Sequence, residues 1–520
     1  MIKPKILILA AAIALTGPAF AVVVSPPPND NFANAIALSA GSSSVNGTSA
    51  TAQPGEPDHF TYGGALHATH SVWWKFTPTI NGYVQVDTRG SGYDTVLSVY
   101  VGTTLTTLKR IAQDDDSGNA TPPKTSLVKI AVVKGVTYRI AVDGLSGDVT
   151  GPTTVNLTYL RINQPRTYQT AVFGALYKED NGMLSFATTT SSVVTGKLRL
   201  GAASYSFTGA VDMDGHMLAS IDRPGLLPVL LDVTVGSNFQ GTVFGPAVGS
   251  LKIGDNVNSI TANPVAVFTT VNPCPRWGRY VQAIQNTGAV GFGVTSFIVA
   301  KTGVVTATGT LADGTAFVYT ASVLDDSGTD TGIIGNGGSF CYHLPMYLNQ
   351  GQITGSSTFD AGNSPTSLGG TLQWFRPAPA ANVAFLPQGI NGSEVDTFGN
   401  RYEPPGPTHR VDPVFDNAPV GSSGHAVLQT GDDLDYPPFT KSDLFLSTSN
   451  VFSYGSSNPN LVKLAVSTDT GVISGTMKLA TNAAKLSTVK GVIINYPMYT
   501  VQFYGFATST TGTTTLVVHP

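Results

Sequence analysis

The chain has little charge. Asp, Glu, Lys and Arg make up 12% of its 520 residues and balance to −4. That excludes the broad basic surface with which nucleic-acid-binding proteins neutralise phosphate. Cysteine is almost absent, with Cys274 and Cys341 the whole complement, too few for a disulfide-dense scaffold or a Cys-rich zinc site. No Gly-Lys-Ser or Gly-Lys-Thr occurs, so there is no phosphate loop, and Cys-x-x-Cys and His-Glu-x-x-His are missing too. The serine-hydrolase pentad Gly-x-Ser-x-Gly is absent; its nearest relative, Gly421-Ser422-Ser423-Gly424, sits in a turn-rich stretch and reads as a flexible loop. Beyond the first residues, no apolar run approaches the roughly 20 residues of a membrane-spanning helix.

What is present starts at the N-terminus. Lys3 and Lys5 precede an apolar run from Ile6 to Leu15, Gly17-Pro18 breaks it, and Ala19-Phe20-Ala21 supplies small residues for cleavage after Ala21. This is the layout of a secretory signal peptide over 1–21. It places the mature chain in the extracellular space, at the cell surface or in the periplasm, with no transmembrane segment after cleavage. Export makes a Cys274–Cys341 disulfide the expectation, worth about 4 kcal/mol in the chain-entropy model; the alternative is two buried thiols. Gly (57) and Pro (33) fit a chain of many turns, and the prevalence of Thr, Ser and Val favours strands. A hydrophobic fraction of 42% suffices for packed cores, and the length suggests about three domains.

Residues 22–28 form a short linker ending in Pro26-Pro27-Pro28. A first domain, 29–162, carries period-two strands such as Ser71-Val72-Trp73-Trp74-Lys75-Phe76 and Thr95-Val96-Leu97-Ser98-Val99-Tyr100, separated by Asn81-Gly82, Lys134-Gly135 and Asp143-Gly144 turns. Its one helical hint runs from Asp30 to Leu38, with Asp30 as a cap. The pattern predicts a β-sandwich or jelly roll.

A series of blocks in this domain resembles a known family. Asn29-Asp30-Asn31-Phe32-Ala33-Asn34-Ala35 is followed by Gly55-Glu56-Pro57-Asp58-His59, then by the Trp73-Trp74 strand. Tyr93-Asp94-Thr95-Val96-Leu97-Ser98-Val99-Tyr100, Asp114-Asp115-Asp116-Ser117-Gly118 and Thr137-Tyr138-Arg139-Ile140-Ala141-Val142-Asp143-Gly144 complete the series. In this order they are similar to the bacterial pre-peptidase C-terminal-like domain. The resemblance implies a small β-sandwich attached to secreted enzymes and surface proteins as an accessory, not a catalytic, module.

From 166 to 520 the chain reads as a repeat-built antiparallel β region, sandwich- or barrel-like. Val193-Val194-Thr195-Gly196-Lys197-Leu198-Arg199-Leu200 matches Val472-Ile473-Ser474-Gly475-Thr476-Met477-Lys478-Leu479, and Thr302 to Leu311 is a longer cousin. A strand, a turn and a strand with a central glycine thus occur three times, giving units of about 166–275, 276–378 and 440–520 with an irregular segment at 379–439. The Gln373-Trp374-Phe375-Arg376-Pro377-Ala378 stretch and the Thr470-to-Gly475 strand resemble repeat-rich β regions that follow such accessory domains in secreted proteins of environmental bacteria.

Candidate site residues are few. Asp114, Asp115 and Asp116 form an acidic turn that Asp94 and Asp143, bordering other strands, could join; this is the chemistry of a structural calcium site, against the plainer reading of a solvated turn. No other cofactor is implied. His67 and His70 precede a strand at a spacing that does not put both on one face, so they read as loop histidines. Glu56 and His59 read as ordering their loop. Of Trp73 and Trp74, neighbours in a strand face opposite sides, so one belongs to the core and the other, with Trp74 the candidate, could stack on a sugar, against the plainer reading of packing in the core or on a neighbouring domain. Glu394, Asp396 and Glu403 could serve as a carboxylate pair, but pairs of this kind arise by chance in a chain of this length. These features favour an exported, non-enzymatic binding or scaffold protein, adhesive or polysaccharide-binding, with a polysaccharide or a surface protein as partner. The alternative is a polysaccharide hydrolase with its site in 380–438.

Overall fold

The computed structural model describes residues 25–61, 70–119, 121–145, 150–162, 165–174, 177–236, 245–285, 292–326, 338–360, 367–378, 388–405, 424–430, 440–447, 449–455, 457–479, 484–494, 502–508 and 513–519. The signal-peptide assignment and most of 380–438 therefore lie outside the described residues, as do His67 and Gly421-Ser422-Ser423. The fold is all-β. Strands make up nearly all of the regular structure, and the helical turns among the described residues are Phe32–Asn34, Leu105–Thr107 and Lys178–Asp180, each of 3-10 type. Among the described residues, no helix is long and apolar enough to cross a membrane. The chain divides into two compact units, 1–79 with 84–158, and 80–83 with 159–520.

The first unit is built on two sheets. One runs, in spatial order, Ile36–Ala37, Val72–Phe76, Tyr138–Gly144, Thr95–Val101 and Lys109–Asp114; the other runs Gly41–Asn46, Pro152–Ile162, Gly82–Asp87 and Leu127–Val132. Alternation fixes which side of each strand is apolar: Val84 and Val86 are buried while Tyr83 and Gln85 are partly exposed. The helix expected over Asp30–Leu38 is instead the single turn Phe32–Asn34 and a two-residue strand. Asp30 is diverted from capping because its carboxylate accepts the Thr51 N–H and hydroxyl, both at 2.7 Å.

The second unit contains three eight-stranded antiparallel sheets of one plan. The first comprises Arg166–Val172, Gly182–Thr188, Val193–Leu200, Ala203–Ala210, His216–Ile221, Val229–Val235, Ala247–Ile253 and Asn256–Pro264. Each strand pairs with the next, except that the fourth and fifth lie side by side without a ladder, and the first pairs with the last through Tyr168↔Pro264 and Gln169↔Asn263. The result is a nearly closed up-and-down barrel filled by side chains. Val229–Val235 shows the cause: Val229, Leu231, Val233 and Val235 are buried, whereas Leu230, Asp232 and Thr234 face outward. The second sheet runs from Gly278–Ile284 to Ile390–Tyr402 and closes through Arg279↔Tyr402 to Ile284↔Thr397. The third runs from Gly424–Thr430 to Thr513–His519 and joins them at Val427↔His519, with its seam between the third and fourth strands.

Two expectations change here. The segment 379–439 is not irregular where described: Ile390–Tyr402 is the last strand of the second barrel and Gly424–Thr430 the first of the third. Its prolines and glycines obscured strands that side-chain alternation alone did not reveal. The three glycine-centred strands also differ in place. Val193–Leu200 and Val304–Thr310 are each third in their barrel, and a Cβ on Gly196 or Gly309 would meet Phe207 Cζ at 2.3 Å or Phe317 Cζ at 2.2 Å. Val472–Met477 is fifth in its barrel, and a Cβ on Gly475 would instead meet the Lys463 carbonyl. The likeness therefore marks a local hairpin, whereas the unit of closure is the eight-stranded meander.

Candidate functional site

The acidic turn grows out of the edge strand Lys109–Asp114, and Asp94 immediately precedes Thr95–Val101, the strand paired with it. This pairing brings Asp94, Asp115 and Asp116 together: one carboxylate oxygen from each lies within 4.8 Å of the others. One oxygen of each residue is shielded from solvent and accepts no hydrogen bond. Lys124 Nζ sits 2.7 Å from Asp116 Oδ2, so a single ammonium faces three carboxylates. Burial, then Asp116 and Asp94, push the Asp115 carboxyl up to about 6, against the pull of Lys124. Burial and Asp116 raise Asp94 as well. A cluster of carboxylates that leaves one buried oxygen of each without a donor is the chemistry of a hard cation such as calcium, which takes six to eight oxygens from carboxylates, carbonyls and water. Asp94, Asp115 and Asp116 would hold it.

The other two expected ligands are turned to different work. Asp114 accepts the Ser117 N–H at 2.9 Å, the Ser117 hydroxyl at 2.7 Å and the Leu127 N–H at 2.7 Å, and so shapes the turn. Asp143 is fully buried and accepts the N–H groups of His70 and Gly144. Sequence spacing could not separate these roles, because adjacent residues in a turn point in different directions.

Trp74 is not a surface platform. It is fully buried, and its indole N–H donates to Ser43 Oγ at 2.9 Å on a strand of the second sheet. Trp73, on the opposite side, is equally buried, because the segments around Phe32 and His59 cover that side of the sheet: Phe32 packs edge-on at 5.3 Å and His59 at 5.2 Å. Glu56 and His59 do order this loop. Glu56 accepts the Gln53 N–H, the Ser71 hydroxyl and the Trp73 indole N–H.

The cysteines are free thiols, not a disulfide. Cys341 alternates with Phe340 and Tyr342, which point into the core of the second barrel together with Cys274, so Cys341 faces the other way and packs against Met183 and Leu324. Two thiols on opposite faces of one sheet cannot align for a bond. Glu394 and Asp396 lie exposed on Ile390–Tyr402, and Glu403 is exposed beside Arg401.

A feature missed in the sequence is an open groove of about 510 Å³ across the outer face of the first barrel. Gly196 lines it together with Met183, Phe186, Ala187 and Phe207. Lys197, Arg199, Thr195, Thr208, Ser185 and Gln169 are among the side chains around it, and none of its lining residues carries a carboxylate. The signal was the Thr-Gly-Lys-Leu-Arg run of a strand whose alternate positions, Thr195, Lys197 and Arg199, all face outward. No protein-family model and no curated protein matches this chain.

Proposed function

We propose that the chain is an exported, non-enzymatic binding and scaffold protein of the cell surface or its surroundings, and that its first barrel binds an acidic polysaccharide. The observation that supports this reading is the groove at Gly196. Two cations beside a row of hydroxyls and an amide, with no acid among them, complement a chain that carries both hydroxyls and negative charge. The open form of the groove suits a polymer passing through it better than a small molecule enclosed by it. In this reading the first unit is an accessory module like the pre-peptidase C-terminal-like domain, braced by calcium at Asp94, Asp115 and Asp116.

The test is a glycan array with the chain lacking residues 1–21. Carboxylated or sulfated glycans should be retained and neutral ones passed over. The double variant Lys197→Glu, Arg199→Glu should lose that retention while keeping the melting temperature. Retention that survives the charge reversal, or no retention at all, would remove the groove from the account, and release of new reducing ends would make the protein a hydrolase.

A further inference from the structure

The three barrels are joined by two junctions that share the two opening strands on one side and the sixth strand on the other. At the first, the opening strands of the first barrel, Arg166–Val172 and Gly182–Thr188, meet the fifth and sixth strands of the second, Ser339–Met346 and Gly351–Phe359. Met183 packs on Cys341 and Leu324, His343 Nε2 lies 2.7 Å from the Gly201 carbonyl, and Gln352 Nε2 donates to the Lys178 carbonyl at 2.8 Å. At the second, the opening strands of the second barrel, Gly278–Ile284 and Gly293–Val299, meet the sixth and seventh strands of the third, Ser487–Ile494 and Gln502–Thr508. Val281, Ala283 and Val294 are buried there with Val492, Ile494 and Phe506. The rule is directional: the opening face of one barrel takes the sixth-strand face of the next.

Among the described residues of the second unit, the sixth-strand face of the first barrel packs against no other barrel. Its fifth and sixth strands, His216–Ile221 and Val229–Val235, carry an apolar patch: Leu218 is 65% exposed, Leu230 42%, and Leu226 and Leu227 in the connecting turn 58% and 69%. The turn is built to present them. Pro224-Gly225 occupies its centre with Gly225 at φ +77°, the Leu226 N–H donates to the Arg223 carbonyl at 2.9 Å, and Arg223 Nε donates to the Leu227 carbonyl at 2.9 Å. Proline followed by glycine at positive φ, closed by that bond, is a type II turn. Exposed leucines held on a fixed turn form a docking surface, not a slack loop.

The geometry points to a second copy of this chain as the occupant, docking head to tail: the opening strands of its third barrel, Gly424–Thr430 and Thr440–Leu446, would seat on the Leu218–Leu230 face and continue the internal order of junctions from one molecule to the next. Such a contact is heterologous, not face to face, and builds rings or open chains of copies. It does not depend on polysaccharide binding.

The experiment uses the chain without residues 1–21. Sedimentation over a concentration series should show species growing beyond the dimer, and Leu218→Asp with Leu227→Asp should return a monomer with unchanged circular dichroism and melting temperature. A photo-crosslinker at Leu227 should then capture residues 424–446 of another copy. A monomer at every concentration, assembly that stops at a dimer, capture of residues 216–230 (a face-to-face pair) or capture of residues 29–158 would each overturn the proposal.

Discussion

The Glu56 carboxylate accepts the indole N–H of Trp73 at 2.6 Å and the hydroxyl of Ser71 at 2.5 Å. Both donors come from the strand region that the segment around Glu56 and His59 covers, so one side chain fastens that irregular segment to the outer side of a sheet. Burial raises the Glu56 carboxyl above its usual range, and its hydrogen bonds oppose that shift. Glu56→Ala would leave two buried donors without their acceptor, and we expect a loss of about 2–3 kcal/mol. Glu56→Gln keeps an acceptor oxygen for Trp73 and should lose less than half as much. Urea unfolding followed by tryptophan fluorescence reads both values; equal losses would show that packing, and not the hydrogen bond, holds the segment.

Much of this fold was legible because alternation is a direct record of burial. Val229–Val235 alternates buried and exposed along its whole length, and its sequence shows the same rhythm. Trp73-Trp74 fails for the opposite reason. Every residue of Val72–Phe76 except Lys75 is buried, because one side of that sheet is covered by the second sheet and the other by an irregular segment that no periodicity announces. Barrel closure was equally invisible: Tyr168 and Pro264 pair across almost the full length of a barrel, and a strand carries no mark of a partner so distant. The acidic cluster lies between these cases. Residue type pointed to calcium, but only the ladder between the strands beginning at Thr95 and ending at Asp114 could show that Asp94 joins Asp115 and Asp116 while Asp114 does not.

A bound cation should stabilise the first unit by mass action, by about 3 kcal/mol at a hundredfold excess over the dissociation constant. Calorimetry of the full chain should therefore show one transition rise on adding calcium and fall again with chelator. Asp115→Asn should abolish that response and also raise the calcium-free transition, because it removes one of three mutually repelling carboxylates. Asp114→Asn should behave differently, keeping the calcium response but lowering stability through the weakened turn. A calcium response that persists in Asp115→Asn would place the cation elsewhere.

The central glycine of Val193–Leu200 is a packing requirement. A Cβ there would stand 2.3 Å from Phe207 Cζ and 2.8 Å from Phe186 Cβ. Gly196→Ala should cost about 1–3 kcal/mol through overpacking. Phe207→Leu makes room at the same point, so the double variant should be more stable than the sum of the two single effects implies, by an amount a double-mutant cycle measures. Strict additivity would mean that the two residues do not share the space.

In the second barrel, Asp313 is nearly inaccessible and meets Arg376 Nε at 2.9 Å and the Tyr347 hydroxyl at 2.8 Å, while Tyr347 in turn accepts the Trp374 indole N–H. Removing one member of a buried ion pair strands the other. Asp313→Ala should cost about 3–5 kcal/mol, and the apolar pair Asp313→Leu, Arg376→Met markedly less. Thermal unfolding distinguishes the two; a single variant no worse than the double would show that solvent reaches the Arg376 guanidinium.

His343 ties the first junction to pH. Its Nε2 faces a carbonyl, which can only accept, so the ring proton sits on Nε2 and Nδ1 accepts from the Thr354 hydroxyl at 2.8 Å. Burial lowers its pKa from 6.5, and Arg199 lowers it further, against the Gly201 hydrogen bond. The unfolded chain therefore takes up a proton near 6.5 that the folded chain refuses. Stability contributed by neutral His343 is present above about 6.5 and is lost as pH falls below it, with a slope of up to about 1.4 kcal/mol per pH unit, until the folded ring also protonates. His343→Gln has no proton to take up, so the difference in unfolding free energy between the variant and the parent should shrink as pH drops from 7 to 5. A difference that stays constant over that range would show that His343 titrates alike in both states, and that the junction opens to water before the ring is charged.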